Sequence, residues 1–176
     1  MTQLLETIQP SDWEKGGSGF VRTRWLQQLS DLVNRPKNNR VTASTNATAV
    51  VCNGAVQSTG VGTASVIPKR YGEFTVKCRV TFNVNSAGPG FVYVYRTTGA
   101  VPVNGNAPNA GDVAVAGDAF GGPANVNGQN FIGTLSFLDT GLSETVNYKY
   151  YLAVKAPNGT TLNLINASQI LVMERS

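Results

Sequence analysis

The sequence predicts an all-β fold, an antiparallel two-sheet sandwich preceded by a short N-terminal arm and one amphipathic helix. Three observations predict it. Residues 73–84, EFTVKCRVTFNV, place Phe74, Val76, Cys78, Val80, Phe82 and Val84 on one face and Glu73, Thr75, Lys77, Arg79, Thr81 and Asn83 on the other. Strand side chains alternate faces, so this is a strand with one buried and one wet side. Such one-sided strands belong to antiparallel sheets, because parallel sheets are covered on both faces. Eight or nine strand-like segments recur from residue 47 onward with turn residues between them and no helical period among them. Finally, 19 glycines accompany a charged fraction of only 14%, below the usual quarter or so.

Residues 1–17 hold Leu4, Leu5, Ile8 and Trp13 in a polar setting, with Pro10 between them and Gly16-Gly17 at the end. The stretch is too short to fold alone, and its apolar anchors favour an arm that orders on a partner over a disordered terminus. Residues 18–34 predict a helix. Val21, Trp25, Leu29, Leu32 and Val33 recur at three- and four-residue steps, Ser18 suits the N-cap, and Pro36 ends the pattern. A helix this short is marginal alone, so the stripe needs a surface. Either the chain's own sheet or self-association, with Trp25, Leu29 and Leu32 as the seam, would provide it. Residues 35–46 read as a polar linker. The period then changes from 3.6 to 2, which predicts a boundary near Arg40: residues 1–40 as arm and helix, 41–176 as the β domain.

Expected strands are 47–56, 61–67, 73–84, 91–97, 112–120, 131–139, 145–156, 161–165 and 169–174. Asn85–Gly90 and Pro157-Asn158-Gly159 mark turns. In 145–156, Val146, Tyr148, Tyr150, Leu152 and Val154 share a face, with Tyr151 opposite. In 131–139, Phe131, Leu135 and Phe137 share a face. The count favours a jelly roll over an immunoglobulin-like sandwich, and there is no Cys…Trp…Cys signature. The long link 98–130 is Gly-, Asn- and Pro-rich, a composition and length that mark functional or partner-ordered loops.

The chemistry is sparse. There is no His, which removes the commonest general base and metal ligand. Cys52 and Cys78 are too few for zinc, Cys78 falls on the apolar face, and their pairing stays open. Asp112 and Asp118 bracket the long link without the repeated carboxylates of a calcium loop. Asp139 and Glu144 flank a turn, and a glycosidase pair there would need a coincidence of folding. GGSG and GPG lack the Lys-Ser/Thr of a phosphate loop. No catalytic, cofactor or metal site is expected, so the expectation is that the protein is not an enzyme.

The net charge is +4. Lys15, Arg22, Arg24, Arg35, Lys37 and Arg40 are too dispersed for a nucleic-acid arm, and no Lys or Arg occurs from Thr97 to Tyr148. No apolar run reaches membrane-spanning length, and the N-terminus shows no signal-peptide core. Neither nucleic acid nor membrane is an expected partner.

Trp13, Trp25, Leu26, Leu29, Leu32, Val33, Asn34 and Pro36 form a W-x11-W-L-x2-L-x2-L-V-N-x-P pattern. It resembles the virion-anchoring segment of short fibres in tailed bacteriophages. The terminal ILVMERS after an aromatic-rich strand resembles the trimeric jelly-roll knobs related to the complement C1q and tumour-necrosis-factor fold. The resemblance implies a homotrimer on the virion, as a fibre, spike or capsid decoration, held to capsid, portal or tail proteins by its N-terminal segment. Trp13, Val21, Trp25, Leu26, Leu29, Leu32 and Val33 would then dock or oligomerise. Unlike long fibres, the chain has no shaft and no collagen-like repeat. An alternative expectation is a host-glycan-binding module using the 98–130 link and exposed tyrosines. A jelly-roll coat protein of an RNA virus would need a more basic arm.

Overall fold

The computed structural model describes residues 40–68, 72–85, 89–120 (backbone only for 118–120) and 130–174. The chain divides into two units, Met1–Lys37 and Asn38–Ser176, and every described residue belongs to the second. The expected arm and helix lie outside the described residues.

Eight strands follow in order: β1 (Arg40–Val51), β2 (Gln57–Gly62), β3 (Phe74–Val84), β4 (Gly90–Thr97), β5 (Val113–Phe120), β6 (Asn130–Asp139), β7 (Lys149–Lys155) and β8 (Thr161–Glu174). They form two four-stranded sheets, β1-β8-β3-β6 and β2-β7-β4-β5. All pairings are antiparallel. Only β4 and β5 are consecutive in sequence and adjacent in a sheet; every other link crosses the sandwich. That connectivity is a jelly roll, as the strand count predicts.

β3 lies between β8 and β6. Its apolar row, Phe74 to Val84, is buried at every position. It faces Val92 and Val94 of β4 and Tyr150, Leu152 and Val154 of β7, with Leu162, Leu164, Ile170 and Val172 of β8 completing the core. Phe131, Leu135 and Phe137 of β6 pack against it half-buried, because β6 is an edge strand.

Four departures from the sequence reading shape the sheets and the long link, beyond shorter bounds at Val51 of β1 and Lys149 of β7. First, β1 begins at Arg40, inside the expected linker, and runs beside β8 from Arg40↔Met173 to Val51↔Thr161. Its own residues are small and mostly polar, so the strand depends on its partner and not on a strong pattern. Second, 161–165 and 169–174 form one strand, β8, interrupted by a bulge. Asn166 and Ala167 adopt φ of 50° and 56°, and the Ala167 N–H donates to Asn46 Oδ1 at 2.8 Å. Third, Thr81 is buried (4% exposed) although its register is the wet one. The bulge turns Ser168 over it: Ser168 Oγ accepts from Thr81 N–H at 3.0 Å and also approaches the Thr81 and Ile165 carbonyls.

Fourth, the strand expected at 61–67 lies mainly earlier, at β2, where Gln57, Ser58 and Thr59 are polar yet buried. A strap, residues 98–112, satisfies most of them. The Ser58 N–H donates to Asn106 O (2.7 Å), the Gly105 N–H to Ser58 O (2.9 Å), Gln57 Nε2 to Gly105 O (2.7 Å) and Ser58 Oγ to Pro102 O (2.8 Å). Thr59 Oγ1 donates instead to Leu152 O at 2.8 Å. The long link is therefore a bonded strap (98–112), then β5, then residues 121–129, which lie outside the described set.

Candidate functional site

Two acidic residues raised by the sequence have structural partners. Asp139 ends β6 on an inward register. Its Oδ1 lies 2.5 Å from Arg96 Nη1, and its Oδ2 accepts the Tyr150 hydroxyl at 2.7 Å. Arg96 also lies over the Tyr148 ring, 5.5 Å from its centroid. Tyr148 Oη accepts the Ser143 N–H at 3.0 Å. The cluster ties β6 of one sheet to β4 and β7 of the other. Glu144, the expected companion of Asp139, is exposed in the following turn.

Asp112 ends the strap. Its Oδ2 accepts the Tyr151 hydroxyl at 2.8 Å and the Asn109 N–H at 2.9 Å. Tyr151 points away from the core, as alternation requires, yet is buried and stacked on Tyr95 at 5.5 Å. Tyr95 continues a row through Tyr93 and Phe91, with centroids 6.4 and 6.5 Å apart. All three rings are half-buried, and Tyr93 lies over Gly117, which leaves no room there for a side chain. Tyr148, Tyr150 and Tyr151 are thus buried, which removes them from any set of exposed tyrosines able to stack on sugars, while Tyr93 and Tyr95 remain partly accessible.

Burial and then the hydrogen bonds to Asp139 and Asp112 push the Tyr150 and Tyr151 hydroxyls well above their ordinary value. The folded chain therefore keeps protons that the unfolded chain would release from about pH 10 upward. Their stabilising contribution is complete below about pH 10 and falls above it, by about 1.4 kcal/mol per pH unit for each tyrosine. Urea unfolding at rising pH should show this loss, and Tyr150→Phe should make the fall shallower. A flat alkaline profile would contradict the assignment.

Cys52 and Cys78 are both free and buried. Burial pushes the Cys78 thiol up to about 12, and burial likewise raises Cys52. Both therefore sit as protonated thiols at neutral pH, the unreactive form. Among the described residues, no cluster of three His, Cys, Asp or Glu could hold a metal ion.

The docking residues expected from the sequence, Trp13, Val21, Trp25, Leu26, Leu29, Leu32 and Val33, lie outside the described residues. Arg96, the partner of Asp139, was missed by sequence reasoning. Its signal was available: Arg96 shares the register of Val92 and Val94, and Asp139 that of Leu135 and Phe137, so two opposite charges stand on inward registers.

The remaining surface of note is the outward face of the β1-β8-β3-β6 sheet. Pairing registers place Thr75, Lys77, Arg79, Thr81 and Asn83 of β3 between Met173, Leu171, Gln169, Ile165 and Asn163 of β8 and Leu138, Ser136, Thr134, Ile132 and Asn130 of β6. Lys77 and Arg79 are exposed, and among the described residues no Asp or Glu occupies an outward register of this sheet.

The fold defines the protein as a jelly-roll sandwich. No family model and no curated protein matches the sequence. Among solved structures it is similar to one described as "Structure of Eiger TNF from S. frugiperda", at 11% identity over 79% of this chain and 93% of that chain, with a TM-score of 0.45. The jelly-roll assignment rests on the strand order itself.

Proposed function

We propose that the protein is a non-catalytic structural component of a tailed-bacteriophage virion: a homotrimeric fibre, spike or capsid decoration, anchored through its N-terminal segment. The observation that carries the assembly part of the reading is the outward face of the β1-β8-β3-β6 sheet. It presents Ile132, Leu138 and Val51 exposed around the exposed cations Lys77 and Arg79, and large exposed apolar side chains gathered on one face are what a subunit contact would cover. The described acids Asp112 and Asp139 are engaged within the fold, which suits a scaffold. The virion part rests on the resemblance of Trp13 through Pro36 to fibre anchors.

Sedimentation of the full chain should give a trimer or a multiple of it, and deleting residues 1–35 should leave a folded β domain that no longer joins particles. A monomer across a wide concentration range, or retention of the truncated chain on particles, would overturn the reading. The partly accessible Phe91–Tyr93–Tyr95 row favours a second role in binding host-surface glycans, since such rings suit stacking against sugar faces. Signal from the full chain on a glycan array would support that role, and a blank array would remove it.

A further inference from the structure

Four strands form the edges of the two sheets: β1 and β6 in one, β2 and β5 in the other. An open strand edge is a template for pairing with another chain, so proteins bend, charge or cover it. Three of these edges carry such a device. β1 has Arg40 and an irregularity between Thr45 and Ala47. β2 is irregular between Ser58 and Gly62 and is bonded to the strap. β5 slips in register opposite Val94/Tyr95.

Among the described residues, β6 shows none of them. It is 10 residues long, NFIGTLSFLD, without proline. Its register with β3 is unbroken from Asn83↔Asn130 to Phe74↔Asp139. Its sole charged residue, Asp139, is turned inward onto Arg96. Among the described residues, β3 is its only strand partner.

We propose that the β6 edge pairs antiparallel with β6 of a second copy of this chain, about a two-fold axis at Leu135. The sequence of the strand selects this occupant. Ile132 and Leu138 are 65% and 44% exposed, and Thr134 and Ser136 stand between them on the same outward row. Centred on Leu135, Ile132 of one copy faces Leu138 of the other, and Thr134 faces Ser136. On the inner row, Phe137 faces Gly133, where the ring covers the gap beside the glycine. Apolar pairs and hydroxyl pairs directly opposite each other stabilise a ladder. Moving the centre to Thr134 or Ser136 spoils the match, setting Ile132 opposite Ser136 or Leu138 opposite Thr134. The outward row is thus palindromic in chemistry, which a self-complementary two-fold contact requires and a foreign strand does not.

The contact goes beyond the three-fold reading and does not depend on it. Alone it gives dimers; together with a cyclic trimer it gives even-numbered assemblies of trimers. Sedimentation velocity of the full chain should show an even-numbered species. Ile132→Lys with Leu138→Lys sets like charges opposite each other twice per contact, and the dissociation constant of that step should rise roughly tenfold or more. Ile132→Lys with Leu138→Glu sets opposite charges face to face only in the stated register, and should restore the step. Both are changes at exposed positions, so urea midpoints should stay close to wild type. Wild-type protein found only as monomer or lone trimer overturns the pairing, as does a double-lysine variant that assembles normally. A lysine–glutamate variant as impaired as the double-lysine one overturns the register. Trimers that persist in every variant, with no even-numbered species, sink this contact and leave the three-fold reading standing.

Discussion

Arg96→Met is expected to lower the stability of the sandwich by about 3–5 kcal/mol, the usual cost of stranding one member of a buried ion pair. Asp139 is 8% exposed and Arg96 20%, so the carboxylate depends on its partners more than the guanidinium does. Removing Arg96 leaves the carboxylate with the Tyr150 hydroxyl alone. Asp139→Asn should cost less, about 1–3 kcal/mol. The amide oxygen still accepts from Tyr150, and Arg96 keeps a path to water. The decisive control replaces the whole cluster: Arg96→Met, Asp139→Leu and Tyr150→Phe together. Apolar replacement of a complete buried pair is often neutral or better, so the triple variant should be more stable than Arg96→Met alone. Urea unfolding reads all three. If Arg96→Met costs less than about 1 kcal/mol, the cluster is a surface pair of the ordinary kind.

The parts legible from the sequence are those where one element carries its own signal. β3 is the clearest: its two-residue period assigned Phe74, Val76, Cys78, Val80, Phe82 and Val84 to the core, and all are buried. The same period placed Tyr151 opposite Tyr150. What escaped depends on residues distant in sequence. β1 between Arg40 and Thr45 is a strand because β8 lies beside it. The strap holds its course because backbone groups of Pro102, Gly105 and Asn106 meet Gln57 and Ser58, more than forty residues earlier in the chain. Local propensity carries no record of such bonds. Thr81 shows the limit within a single strand. Alternation sets its face correctly, but the bulge at Asn166-Ala167 determines that the face is covered there.

The candidate site divides along the same line. Asp112 and Asp139 could be located from the sequence but not paired, since pairing needs the sandwich to be closed. Once closed, both acids hold tyrosine hydroxyls across packed elements. The open chemistry of the β domain then lies on its edges and outward faces. That is where the proposed pairing along β6 would form.

The second large effect concerns β3 itself. Phe82→Ala should destabilise the fold by about 3–5 kcal/mol, the range for truncating a buried phenylalanine. The ring is fully buried and packs 5.6 Å from the Phe131 ring. It also lies against Gly90 at the start of β4. A methyl added at Gly90 would sit 2.7 Å from Phe82 Cε2, with Val84 Cγ2 at 3.2 Å and Leu162 Cδ1 at 3.3 Å. Gly90→Ala should therefore cost about 1–3 kcal/mol through overpacking. The two losses should not add. In the double variant the new methyl enters volume that the ring has vacated, so the nearest clash disappears and the cavity shrinks. The coupling should favour the double variant by about 0.5–3 kcal/mol, the range for residues in contact. Additive losses in a urea-unfolding cycle would mean that Gly90 and Phe82 do not share this space, and that the two sheets do not close over β3 as described.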